Sequence, residues 1–188
     1  HKEARPQLKT VTLNALGIDA EEAQLCAGRV LVNLLPSKGG EDRGAAIVNV
    51  YQHQASQGLK QQRLLQVLDQ ILSRLKASSS TVFVSGDMNA AMVGSRRGYA
   101  IDYTETDQRL QDFVERQRFQ ACNNKVTHTW MPYSGRDQAA TLDHVWVWHA
   151  GGEGEYQLLA RKAPQERHDH LVLTANMSPE WLQNLQEI

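Results

Sequence analysis

The chain has 188 residues, with 20 Lys and Arg against 21 Asp and Glu, and 41% of its residues are hydrophobic. Those figures fit one globular domain and exclude a collagen-like, low-complexity or highly charged disordered chain. No apolar run approaches the roughly 20 residues that span a bilayer, so we expect a soluble protein with no membrane partner. The near-neutral charge gives no global electrostatic case for nucleic acid, so any such binding must be local.

The first half of the chain predicts a β-hairpin followed by a helix. Residues 1–28 carry little pattern, and a start without Met or an apolar signal region suggests an internal piece of a longer chain. Two β-rich runs, 30–34 and 46–51, flank a polar Gly-Gly turn, which favours an antiparallel pair. Apolar residues then recur at three- and four-residue spacing from Leu64 to Leu75, which predicts an amphipathic helix that ends at the serines 78–80.

The second half predicts strands that meet polar residues at one end. A short apolar strand, 81–84, runs directly into the polar segment 85–89, and a second helix is predicted around Leu110 and Phe113. The alternation over 142–148 predicts a strand that begins with an acid, and a final strand over 171–173 follows charged residues. No internal repeat or linker divides the chain, so we predict a single domain over residues 1–188.

Three acids, Asp87, Asp143 and Asp169, lie where a loop meets an apolar strand, and the last two stand beside a histidine. If the strands are neighbours, their ends gather carboxylates, an amide and an imidazole. That set can hold a divalent cation, orient water and stabilise a phosphoryl-transfer transition state. Taken singly, each element has an ordinary explanation, because Gly, Asp and Asn form turns, and Tyr51 or His170 can be a packing or solvated residue.

The ordered combination resembles the endonuclease/exonuclease/phosphatase superfamily, most closely its retrotransposon and apurinic-site repair endonuclease branch. The matching pieces cover the chain from about residue 28 to its end: Val48-Asn49-Val50-Tyr51, Ser85-Gly86-Asp87-Met88-Asn89, Thr127-His128-Thr129-Trp130, Leu142-Asp143-His144-Val145 and His168-Asp169-His170. The resemblance implies an α+β fold, an α/β sandwich of two packed, mainly antiparallel sheets flanked by helices as in DNase I. It also implies a divalent-metal-dependent phosphodiesterase, most simply a DNA endonuclease, in an intracellular, nuclear or cytoplasmic location.

The resemblance assigns a role to each of five catalytic candidates. Asp87 would act on the attacking water as its base or acceptor, and Asn89 would orient that water or the phosphate. His170 would face the scissile phosphate, held in one tautomer by Asp143. Tyr51 would donate to a phosphate oxygen or to the leaving group. Candidate DNA contacts are the basic residues Arg96, Arg97, Lys125, Arg136, Arg161 and Lys162.

The resemblance also implies a metal site, with Asp169 as a ligand directly or through water. Mg²⁺ or Mn²⁺ suits an oxygen-only site, whereas zinc prefers His and Cys. The family's upstream Asn and its Glu, which is the principal metal ligand, have no acceptable counterpart here, because Glu3, Glu21 and Glu22 fall in its variable region. We therefore expect roughly the C-terminal two-thirds of such a domain, with weak metal binding on its own.

Two further departures and an alternative function follow. Residues 52–54 replace the family's Pro-Asn after the tyrosine, and His168 replaces its Ser. The incomplete sandwich implies that a second chain or an unobserved segment completes the sheet. The alternative to an endonuclease is a catalytically incomplete subunit derived from this fold, which serves a structural or interaction role in a larger assembly.

Overall fold

The computed structural model describes residues 8–36, 44–92, 104–121, 129–130, 140–152, 156–161, 170 and 172–177. Its strands are β1 Lys9–Val11, β2 Val30–Leu35, β3 Ala45–Tyr51, β4 Thr81–Asp87, β5 Gln120–Ala121, β6 Asp143–His149, β7 Tyr156–Arg161 and β8 Val172–Met177. Its helices are α1 Ala20–Leu25, α2 Gly58–Ser78 and α3 Glu105–Arg116, with two short 3₁₀ turns at Asn14–Leu16 and Ala55–Gln57. In this part of the chain no helix is long and apolar enough to cross a membrane.

The strands form a six-stranded sheet in the order β1-β2-β3-β4-β6-β5 and a two-stranded sheet of β7 and β8. Neighbouring strands are antiparallel except for β3 and β4, which run parallel and are joined through α2. The predicted hairpin is therefore confirmed as β2 and β3. The α/β sandwich architecture is confirmed in the mixed sheet with its flanking helices. The single domain over 1–188 stays a prediction.

Helix α2 supplies the apolar layer on one face of the large sheet. The periodic residues of the sequence are its buried residues, and Leu64, Leu68 and Leu75 are fully buried in the core. They share one apolar cluster with Val48 of β3 and Val84 of β4. The helix ends at Ser78, and the next residue turns to extended backbone with its N–H bonded to the Leu75 carbonyl.

Helix α3 adds a second, more strongly amphipathic element to the same layer. It begins with a capping box in which the Thr104 hydroxyl accepts from the Asp107 N–H and the Asp107 carboxylate accepts from the Thr104 N–H. Leu110, Phe113 and Val114 are buried in the core cluster, as their spacing predicts. Helices α2 and α3 therefore belong to one layer that packs on the large sheet.

Two residues of this layer have pKa values shifted by their surroundings. Cys26 is fully buried, and burial followed by the charge of Glu22 raises the pKa of its thiol to about 11. Lys76 donates hydrogen bonds to the backbone and side-chain oxygens of Gln117, at 2.6 and 2.7 Å, and its ammonium lies 4.6 Å from the centre of the Phe119 ring. Partial burial lowers its pKa to about 8. Both groups have a packing role in the core.

Candidate active site at the strand ends

Register places three of the predicted site residues in one line across the large sheet. Tyr51, the last residue of β3, is the partner of Asp87, the last residue of β4, and Asp87 is the partner of Asp143, the first residue of β6. Residues directly opposite each other project from the same face of a sheet, roughly 5 Å apart. We call Tyr51, Asp87 and Asp143 the strand-end row. The strand ends therefore bring Asp87 and Asp143 together, with Tyr51 beside Asp87. The third predicted acid, Asp169, lies outside the described residues.

A glycine sets the close approach of β3 and β4 directly before the row. Gly86 has φ 140°, and a Cβ there would lie 1.9 Å from the Val50 carbonyl oxygen. No other residue can occupy this position without separating the two strands, since φ > 0 in this region is essentially restricted to glycine. Gly86 is therefore required for the register that aligns Tyr51 with Asp87.

Asn89 follows the row in a tight turn. Its φ of 47° is left-handed, a conformation that Asn tolerates better than most residues. Its N–H donates to Asp87 Oδ1 at 2.8 Å, and its side-chain Nδ2 donates to the Gln52 carbonyl at 2.9 Å. The turn therefore holds the Asn89 amide beside the Asp87 carboxylate. Gly-Asp-Met-Asn therefore forms a turn, as its composition predicts, and this turn lies at the end of the row.

The next two residues attach this turn to the rest of the domain. The Ala90 carbonyl accepts from His144 Nε2 at 2.9 Å, and the Ala91 N–H donates to Asp107 Oδ1 at 2.7 Å. Burial lowers the pKa of His144 to about 4, so this imidazole is neutral at physiological pH. His144 thus points into the core on the face opposite to Asp143, as alternation along β6 requires.

His170 completes the arrangement from outside the large sheet. Its Nδ1 lies 2.8 Å from Asp143 Oδ2, the pairing predicted for these two residues. The carboxylate favours the tautomer with the proton on Nδ1, which leaves Nε2 as the basic nitrogen. An isolated β-bridge between Trp130 and His170 fixes the backbone here. Residues of the large sheet and His170, which lies two positions before β8, therefore meet at one place.

Thr129 is a positioning residue that the sequence analysis did not single out. It is fully buried, and its Oγ1 accepts from the N–H groups of Leu142 and Asp143 at 3.0 and 2.9 Å. These bonds hold the backbone at the start of β6, and hence the carboxylate that orients His170. The sequence showed a hydroxyl residue in the Thr-His-Thr-Trp piece, but it did not show which backbone groups that hydroxyl would bind.

The described residues supply only part of a metal site. The oxygens of Asp87, Asn89 and Asp143 are the hard donors that Mg²⁺ prefers. Among the described residues, however, no group of three His, Cys, Asp or Glu could hold a metal ion. Asp169 lies outside the described residues, as do the basic candidates Arg96, Arg97, Lys125, Arg136 and Lys162. Of the sixth, Arg161, only its backbone position in β7 is described.

The upstream glutamates also make contacts unrelated to a metal. Glu21 pairs with Arg63, and Glu22 Oε1 accepts from Gln70 Nε2 at 2.7 Å, so both bind α2. Glu3 lies outside the described residues. These contacts agree with leaving the glutamates out of the predicted metal site.

Solved structures share this arrangement of strands. The chain matches a 3'-5' exonuclease, NExo, from Neisseria meningitidis with a TM-score of 0.61 at 18% identity, over 80% of this chain and 65% of that one. It matches the endonuclease domain of TRAS1, a telomere-specific non-LTR retrotransposon, with a TM-score of 0.62 at 11% identity, over 90% and 68%. A third match is an endonuclease/exonuclease/phosphatase family protein from Bacteroides thetaiotaomicron, with a TM-score of 0.50 at 11% identity, over 78% and 54%.

The fold is that of the endonuclease/exonuclease/phosphatase superfamily. The chain spans less than two thirds of the length of NExo and about half of the Bacteroides protein. NExo has also been solved as a 3' phosphatase bound to a product DNA hairpin. No family model matches the chain, and no curated protein matches it. The similarity therefore shows the fold, and the chemistry has to be argued from the strand-end row.

Proposed function

We propose that the protein is a divalent-metal-dependent phosphodiesterase that cuts DNA, an endonuclease of the retroelement or repair type. The observation that carries the proposal is the strand-end row with His170 bound to Asp143 at 2.8 Å. Superfamily neighbours named as exonuclease, endonuclease and phosphatase support a phosphoester substrate, and NExo with its DNA hairpin supports DNA.

Each residue of the site has a chemical role in this proposal. Asp87 accepts a proton from the attacking water, and Asn89 orients that water or the phosphate. His170, oriented by Asp143, interacts with the scissile phosphate through Nε2, and the Tyr51 hydroxyl donates to a phosphate oxygen or to the leaving group. The water oxygen forms the new bond to phosphorus, and the bond to the leaving oxygen breaks.

Metal dependence is the part of the proposal that needs ligands beyond the described residues. Mg²⁺ or Mn²⁺ would neutralise phosphate charge, and the oxygen donors of the row are of the kind that such ions bind. Asp169 remains the predicted additional ligand. A second chain or segment that completes the sandwich remains a prediction, as does an intracellular, nuclear or cytoplasmic location.

Nicking of supercoiled plasmid DNA by the full-length protein, with Mg²⁺ and with EDTA, tests the proposal. We expect Asp87→Asn and His170→Ala to lower kcat by about 10²-fold or more, and EDTA to abolish activity. Asp112→Asn is the matched control, because Asp112 is exposed on α3 and accepts a hydrogen bond from Gln108 Nε2. Wild type and site variants that are equally inactive on DNA, RNA and small phosphoesters would contradict the proposal.

The alternative of a catalytically incomplete subunit rests on the sequence. The superfamily's upstream Asn and Glu have no acceptable counterpart in this chain, and its net charge is close to neutral. The same assay decides between the two functions, because a structural subunit would show no metal-dependent turnover in the full-length protein.

A further inference from the structure

Arg29 extends the strand-end row by one strand. It precedes β2, where Val30 is the partner of Val50, so Arg29 stands opposite Tyr51. The Tyr51 N–H donates to the Arg29 carbonyl at 2.7 Å, which confirms this register. Across four strands the line therefore contains a cation, a phenol and two carboxylates, followed by the imidazole of His170.

The Arg29 side chain is fixed on Tyr51. Its guanidinium carbon lies 5.3 Å from the centre of the Tyr51 ring, and its Nη1 donates to the Tyr51 carbonyl at 3.2 Å. Stacking and a backbone bond preorganise the guanidinium and leave most of its five N–H donors for another acceptor. In the described part of the chain no carboxylate pairs with Arg29. Its charge is thus uncompensated by the protein there.

His53, two residues after Tyr51, is buried, with Nδ1 3.0 Å from Gln57 Oε1. Burial lowers the pKa of His53, and the positive charges of Arg29 and Lys60 lower it further. Arg29 and Lys60 therefore both contribute positive charge at His53, whereas the other end of the row carries the carboxylates of Asp87 and Asp143.

The width of the row separates two anion positions. Adjacent strands lie about 4.8 Å apart, so the Cα of Arg29 is roughly 10 Å from that of Asp87, two strand spacings away. This separation leaves room for a second anion at the stacked guanidinium, beside a phosphate that reacts near Asp87 and His170. Guanidinium groups form paired hydrogen bonds with phosphate oxygens.

We propose that Arg29 binds a second phosphate of the substrate, next to the scissile one, and so makes the site selective for polynucleotides over esters with a single phosphate. The inference rests on the proposed function for its substrate class. DNA binding by Arg29 can nevertheless be measured without cleavage.

The test compares full-length variants by fluorescence anisotropy with a fluorescein-labelled DNA duplex in EDTA. Arg29→Met keeps the apolar stem on Tyr51 and removes the charge, and Arg29→Lys restores a charge without the planar fork. Arg116→Met is the matched control, since Arg116 is on α3 and pairs with Asp69. We expect Arg29→Met to weaken binding about tenfold and to reduce the slope of log K against log salt by about one, with Arg29→Lys intermediate.

Kinetic measurements distinguish a role of Arg29 in DNA binding from a role in positioning Tyr51. Arg29→Met should raise KM for DNA by a larger factor than KM for bis(p-nitrophenyl) phosphate, which has one phosphate. Equal DNA affinity of Arg29→Met and Arg116→Met would overturn the inference, as would a wild-type protein that does not bind DNA. An equal fall in kcat on both substrates with unchanged DNA affinity would also overturn it, because Arg29 would then act only through Tyr51.

The outcomes distinguish this inference from the proposed function. If DNA binding depends on Arg29 but the protein has no activity on any phosphoester, the proposed nuclease function is wrong and the proposed phosphate contact of Arg29 is supported. Circular dichroism and thermal melting identify a variant that fails to fold, and Arg29→Lys then decides by its affinity and salt slope.

Discussion

Replacing Gly86 by alanine should destabilise the protein strongly, because the new Cβ would lie 1.9 Å from the Val50 carbonyl oxygen and 2.8 Å from its carbon. Ordinary contacts of this kind are about 3.5 Å, so β3 and β4 must separate locally. Two ladder hydrogen bonds at about 1 kcal/mol each are lost. The conformation at φ 140° adds about 1–3 kcal/mol for a residue with a side chain. Together the cost is about 4 kcal/mol.

Gly28→Ala provides the matched control. Gly28 has φ 68°, and nothing lies within 4 Å of a Cβ built there. Its cost is the left-handed penalty alone, about 1–2 kcal/mol. At about 2–4 °C per kcal/mol for a domain of this size, we expect Tm to fall by about 8–16 °C for Gly86→Ala and by about 2–8 °C for Gly28→Ala. Urea unfolding of the full-length variants gives the free energies directly, and equal losses for the two alanines would refute the clash argument.

Three further predictions concern single side chains. Asp143→Asn should lower kcat by about 10²-fold with little change in stability, because the amide no longer fixes the His170 tautomer. Single-turnover cleavage measures this effect, and an unchanged rate would contradict the role of the Asp143–His170 pair. Burial in the folded state lowers the pKa of His144 to about 4 from an ordinary 6.5, so as pH falls the unfolded chain binds a proton before the folded protein does. The free energy of unfolding should therefore decrease by up to about 3 kcal/mol as pH falls from 6.5 to 4. Urea unfolding at pH 7 and 4.5 checks this, with a flatter profile expected for His144→Gln. Cys26 should resist iodoacetamide at pH 8 in the folded protein and react after denaturation, as peptide mapping would show; rapid native labelling would argue against its buried thiol.

Local periodicity was sufficient to predict most of the large sheet and its helices. The spacing from Leu64 to Leu75 predicted α2, and the alternation from Asp143 predicted β6, because each pattern reflects which side of one element is buried. The parallel pairing of β3 with β4 was not predicted. Parallel or antiparallel pairing depends on the path of the connection in space rather than on the pattern of either strand.

Some residues of the candidate site could also be predicted from local sequence, whereas others depend on long-range pairing. Asp87, Asp143 and His170 were predicted from motif order, and register confirms that the first two are partners. Thr129 and Arg29 were not predicted, since their roles depend on which backbone group or ring lies opposite. A threonine in a polar segment and an arginine before a strand are ordinary until the pairing partners are known.

The order of elements along the chain has a consequence for how the protein folds. The β3, α2 and β4 unit is continuous in sequence, and Leu68 of α2 lies 20 residues after Val48 and 16 residues before Val84 in the same core cluster. The site, by contrast, joins Asp87 to Asp143, which is 56 residues later. We expect the nucleus to form in the continuous unit, with high φ-values for Leu68→Ala in stopped-flow refolding and low ones for substitutions at the start of β6. On the proposed function, the site would then be complete only after the last folding step, and partly folded chains would not cut DNA.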